Sequence, residues 1–120
     1  MRDKSTEIIN ETRQKILAGR AYFARSWRDR LQGMIGRTFD FCDAMIFERC
    51  SAIHTFFMRQ AIDVIFLDRN NTVLEICSAL RPWCPCKSKS GTVCVVELPP
   101  GSLEQTGTIP GDRLVLKEQK

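Results

Sequence analysis

The run His54-Thr55-Phe56-Phe57-Met58-Arg59-Gln60-Ala61-Ile62-Asp63-Val64-Ile65-Phe66-Leu67-Asp68 constrains the fold more than any other part of the chain. It is too apolar for a solvated loop, yet its first ten residues hold a histidine, a threonine, an arginine and an acid. A run of this kind must be mostly buried, and buried polar groups need partners. It therefore predicts a β core with a polar cluster seated on it. Ile62–Leu67 is apolar at nearly every position and reads as a central strand. Asp68-Arg69-Asn70-Asn71 supplies residues that tolerate positive φ, so a tight turn fits there, with Thr72–Leu80 returning as the partner strand.

The same pattern recurs on both sides. Thr6–Asn10 and Lys15–Phe23 flank the polar Asn10-Glu11-Thr12-Arg13 and predict a hairpin. Ala44–Phe47 and Ile53–Met58 are further apolar runs. Pro82 and Pro85 make Arg81–Gly91 irregular, because proline cannot sit in a central strand. Thr92–Leu98 is a β-branched strand stopped by Pro99-Pro100-Gly101. Ser102 can cap one helical turn through Thr106, with Gly107 closing it, and Arg113–Leu116 is the last strand. The one substantial helix predicted is Ser26–Ile35: Ser26 caps it, and Trp27, Leu31, Met34 and Ile35 share a face. Short strands with turns between them and one amphipathic helix predict a mainly β (α+β) fold, a small β sandwich or barrel-like domain with that helix packed on it. The 120 residues have one domain's length, enough for one core.

Charge is uneven. Met1–Arg37 holds nine basic and four acidic residues, whereas Thr38–Lys120 holds nine and ten. The basic third could contact nucleic acid through Arg20, Arg25, Arg28 and Arg30, or it could be a solvated face, since no basic run exceeds two residues. No signal-like segment and no membrane-length apolar run is visible, so a cytoplasmic location is expected. Six cysteines in such a chain point to thiols or metal rather than a disulfide scaffold.

Four blocks resemble a known family. Leu31-Gln32-Gly33-Met34-Ile35-Gly36-Arg37 is similar to the R-G-L-M-x-R segment of the domain of unknown function 192 family. His54–Met58 with Ile62-Asp63-Val64 and Phe66-Leu67-Asp68 resembles its second block, Val96–Gly101 its E-L-P-A-G block, and Gly107 with Gly111-Asp112 its closing G-x-x-x-G-D. The resemblance implies a single, mostly β domain over residues 1–120, with a family-like core of about residues 6–117, and carries no function with it. Gln32 stands where arginine is usual, Pro100 replaces alanine, and Cys84-Pro85-Cys86 lies outside the family pattern.

Arg37, His54, Met58, Asp63 and Glu97 are the candidate residues of a polar cleft. Asp63 needs donors if buried, with Arg37, His54 or a backbone N–H as the choices. The same groups could instead form a purely structural tie between the helix end and the sheet. His54 is the sole histidine and an imidazole can move a proton near neutral pH, but no nucleophile motif accompanies it. Methionines such as Met58 make adaptable ligand walls and equally fill cores. Cys84 and Cys86 are weak metal candidates, because zinc sites ordinarily need a second pair, and no cofactor is expected. The favoured reading is a small binding or accessory module for a small molecule or protein. The alternatives are a hydrolase using His54 and Asp63, and a nucleic-acid contact through the basic third.

Overall fold

The structure is a computed structural model, and it describes residues 5–24, 39 and 42–118. The Ser26–Ile35 helix, Arg25, Arg28, Arg30 and Arg37 lie outside the described residues. Half of the expectation is met directly: β1 (Thr6–Asn10) and β2 (Lys15–Phe23) form the first hairpin, and β5 (Ile62–Leu67) and β6 (Val73–Leu80) the second. They join β3 (Ala44–Glu48), β8 (Cys94–Leu98) and β9 (Leu114–Glu118) in one seven-stranded sheet of order β6-β5-β8-β3-β2-β1-β9. β4 (Ala52–Ile53) and β7 (Lys87–Ser88) form a separate two-stranded ladder. The helical turn α1 spans Ser102–Thr106.

The sheet curls until its two edges meet at one end. Thr72 bridges Arg113, Val73 N–H donates to Asp112 O at 2.8 Å, and Leu114 N–H donates to Asn71 O at 2.9 Å. Joining the edges hides part of the strand backbone that would otherwise invite pairing with another chain. Of the two architectures that the sequence allowed, a barrel-like curl is therefore the one present, rather than a sandwich of two sheets.

Strand alternation sorts the apolar residues onto two faces. Ile46, Ile65, Leu67, Val96 and Leu98 point into the concave side, where Ile8, Leu103 and Leu114 complete a core. Met45, Phe47, Val64, Phe66 and Val95 point to the convex side and pack with Ile53 and Met58. The continuous apolar run of β5 follows from this, since both of its faces are covered.

The start of the His54–Asp68 run departs from the expectation that so apolar a segment is no loop. The ladder stops at Ile53, and residues 54–60 form a loop in which Phe57 takes a positive φ of 65°. Thr55 explains the departure. It is fully buried, its Oγ1 donates to Arg81 O at 2.8 Å, and it accepts Cys84 N–H at 2.7 Å. Its backbone N–H and C=O bond Cys84 and Trp83, so the run's hydrogen bonds go to the 81–84 loop instead of to a sheet.

A polar network closes the curled end. Asp112 Oδ2 accepts from Asn10 Nδ2, Arg13 Nε and Ile109 N–H at 3.0–3.1 Å, and Asn10 Nδ2 also donates to Thr108 Oγ1. Burial works to raise the Asp112 carboxyl, but the bonds from Arg13, Asn10 and Ile109 outweigh it and hold the group below its ordinary value. A lowered carboxyl contributes stability that is present above the unfolded value and lost as pH falls through the folded one. Asp112→Asn should cost about 1–3 kcal/mol at neutral pH. In urea titrations the gap between wild type and variant should shrink below about pH 4. A gap independent of pH would disprove the ionic role.

Candidate functional site

The structure separates residues that the sequence grouped together. Asp63 is fully buried, as an acid inside β5 required, but it shares the concave face with Ile65. Neither carboxyl oxygen meets His54. Oδ1 accepts Ala79 N–H at 2.8 Å and Oδ2 accepts Leu103 N–H at 2.9 Å. Ala79 sits at a register shift in β6 with φ of 49°, where an extra residue frees its N–H from the ladder. Leu103 is in the first turn of α1, whose cap residue Gly101 makes no side-chain cap bond. Ser102 does not cap the turn as its position promised: its Oγ donates to Pro99 O at 2.7 Å. Asp63 thus takes over the cap from a distant strand and pins β6 and α1 together. A cavity of about 380 Å³ opens beside this joint, bounded by Asp63, Ser78, Ala79, Gly101, Glu104 and Thr108.

Glu97 lies in β8 on the opposite, convex face, in register with Met45 and Val64. It is 3% exposed, and Oε1 has no hydrogen-bond partner among the described residues. Burial pushes its carboxyl up from 4.5 to about 8, so the group is protonated at neutral pH. A neutral carboxyl is at once a donor and an acceptor. Its apolar surroundings are the Met45, Val64 and Val95 face, to which Met58 belongs. The loop that carries Met58 holds a second buried orphan, the donor Gln60 Nε2. No single-sequence signal marked Gln60. Its flanks are Arg59 and Ala61, and only the loop conformation buries it.

His54 is exposed on that loop, with Nδ1 accepting Phe56 N–H at 3.2 Å. None of the six cysteines, all among the described residues, is in a disulfide. Cys84 is half-buried, Cys86 is exposed, and no three metal-ligating side chains converge among the described residues. Replacing Cys84 and Cys86 together by serine should leave the melting temperature within about 2 °C, as expected of surface changes. Stoichiometric zinc in the purified protein, lost together with stability on chelation, would overturn that expectation.

The described residues form a curled, mostly β sheet with one short helical turn, and among them Glu97 Oε1 on the convex face has no hydrogen-bond partner. The family model of domain of unknown function 192, described as "Uncharacterized ACR", matches residues 8–116, and the chain belongs to this family. A UPF0127 protein of Thermococcus sibiricus is 34% identical over 113 residues, covering 89% of this chain and 72% of the relative. One from Pyrococcus abyssi is also 34% identical over 113 residues, covering 89% and 94%. A crystal structure of a protein of unknown function from Novosphingobium aromaticivorans shares the fold at a TM-score of 0.76 and 22% identity, covering 92% of this chain and 83% of that one. One from Sinorhizobium meliloti does so at 0.78 and 20%, covering 94% and 92%. No described helix is long and apolar enough to cross a membrane.

Proposed function

We propose that this protein is a small binding module whose site is the convex face around Glu97, walled by Met45 and Met58 and bordered by the loop of His54 and Gln60. The observation that carries this reading is the buried, unpartnered carboxyl. Such a group costs about 1–3 kcal/mol to keep. A fold retains it where a ligand completes it, or where water or strain accounts for it. The free polar atom also favours one of the two candidate places. Asp63 has both oxygens occupied by backbone N–H groups, whereas Glu97 Oε1 is available. With an acceptor from Glu97 and a donor from Gln60, the matching ligand is a small molecule that carries both a donor and an acceptor, as a carboxamide does.

The hydrolase reading has less behind it. His54 is exposed and Asp63 faces the other core, so an acid and a base do not share one pocket. A thermal-shift screen of small amides, amines and carboxylic acids tests the binding reading. Some class should raise the melting temperature of the wild type and leave Glu97→Leu unmoved. A panel that shifts both proteins equally, or neither, would defeat it.

A further inference from the structure

The 54–60 and 81–84 loops display aromatic rings that the fold does not need for its core. Phe57 is 63% exposed and Trp83 59%, with Phe56 and His54 beside them. The rings form one chain of contacts. Phe57 and Trp83 have centroids 4.6 Å apart at 60°, Phe56 and Trp83 6.3 Å at 47°, and His54 and Phe56 5.1 Å at 35°. Tilted packing of this kind leaves ring faces open instead of stacking them on one another.

Holding the rings there costs the backbone something. Phe57 and Trp83 both adopt φ of 65°, a region that bulky residues rarely enter. Thr55 imposes it: its buried hydroxyl and backbone bond Arg81, Trp83, Cys84 and Met58, locking the two loops into one unit. Strain of this kind persists where the surroundings over-determine it, and it concentrates at binding sites.

The two segments that carry the rings hold charges of one sign. Segments 51–61 and 81–91 contain Arg59, Arg81, Lys87 and Lys89, all exposed, and no acidic residue. The β4–β7 ladder pairs Ile53 with Lys87 and brings the two segments together. Glu75 of β6 shares the surroundings of Cys77 with Lys87 and is the acidic group at the margin.

We infer that this aromatic and basic surface binds single-stranded nucleic acid, with exposed bases stacking on Trp83 and Phe57 and phosphates meeting Arg59, Arg81, Lys87 and Lys89. Open ring faces fit bases, whose π-faces stack on aromatic side chains whatever the sequence, and cations without acids fit a phosphate backbone. A duplex keeps its bases stacked inside and offers the rings nothing. An anionic membrane would use the same charges, but it would require the apolar tips to penetrate. Here the rings are interleaved with His54, Arg59 and Arg81 in short loops and do not form an amphipathic helix. The inference is independent of the Glu97 site.

The test is fluorescence anisotropy with a labelled oligothymidine of about 12 nucleotides. A duplex of equal length and phosphatidylserine vesicles serve as the competing probes. The wild type should bind the single strand at least about ten-fold more tightly than the duplex, and the affinity should fall at least about ten-fold between 50 and 200 mM salt. Trp83→Ala should weaken binding about ten-fold at unchanged salt slope. Lys87→Gln with Lys89→Gln should flatten the slope instead. Both are surface changes, and circular dichroism would verify that the variants fold. Equal affinity for duplex and single strand, an unaffected Trp83→Ala, or binding to the vesicles with none to the oligonucleotide would each overturn the inference.

Discussion

Asp63→Asn should destabilise the protein by about 1–3 kcal/mol, while Asp68→Asn should be close to neutral. Both aspartates accept two backbone N–H groups, but they do so differently. Asp63 uses one oxygen for Ala79 and the other for Leu103. An asparagine has one acceptor oxygen, so its NH₂ would face whichever N–H it did not serve, donor against donor. Asp68 uses Oδ1 alone for Asn70 and Thr72, and asparagine keeps that oxygen. Asp63→Ala removes both acceptors and should cost about 2–6 kcal/mol, towards the lower end where water from the adjoining cavity reaches the freed N–H groups. Urea unfolding supplies the free energies. Hydrogen exchange localises them, with the Ala79 and Leu103 amides losing protection first. Equal effects of the two asparagine substitutions would show that Asp63 does not hold β6 to α1.

The contrast shows what the sequence could and could not convey. The acid between Ile62 and Val64 announced its need for donors, because an ionised carboxylate buried in an apolar strand is costly unless it is hydrogen-bonded. Its partners could not be read there. They are backbone groups freed by a bulge in β6, which leaves no residue-type signature, and by the start of α1, which was legible as a turn but not as a neighbour of Asp63. Of the donors expected for it, the backbone N–H is the kind found, as most side-chain hydrogen bonds go to backbone or water, while Arg37 lies outside the described residues. The hairpins were legible because turn residues and alternation act locally. Ile53–Met58 was not legible as a loop. Thr55 looks like an ordinary strand residue, and its staple to 81–84 is a long-range choice. The same limit applied to the cleft. Asp63 and Glu97 lie in adjacent strands, but Asp63 pairs with Leu98, one residue beyond Glu97, so the two acids face opposite cores. A one-residue difference in register exchanges faces, and no count of intervening residues fixes it.

Glu97→Leu should stabilise the protein, increasingly so as the pH rises. Burial raises the Glu97 carboxyl to about 8 in the folded state, against 4.5 as its ordinary value. Between those values the folded chain holds a proton that the unfolded chain has released. The unfolded state then binds fewer protons, so folding stability falls with rising pH. The wild type retains the full contribution below about pH 4.5 and loses up to about 1.4 kcal/mol per pH unit above it, the loss ending near pH 8 where the folded carboxyl ionises. Other carboxylates, Asp112 among them, push in the opposite direction at acid pH, so the informative quantity is the difference between variant and wild type. Near pH 4.5 that difference should be small and set by packing; by pH 8 it should reach several kcal/mol in favour of the variant, read as separating denaturation midpoints. Glu97→Gln should follow the same trend with a smaller gain, since its amide remains buried without a partner. Curves that stay parallel across this range would mean that the carboxyl is paired or solvated in solution. The reading of Glu97 as a group awaiting a ligand would then fail with it, because the instability of the free carboxyl and its availability to a ligand have the same origin.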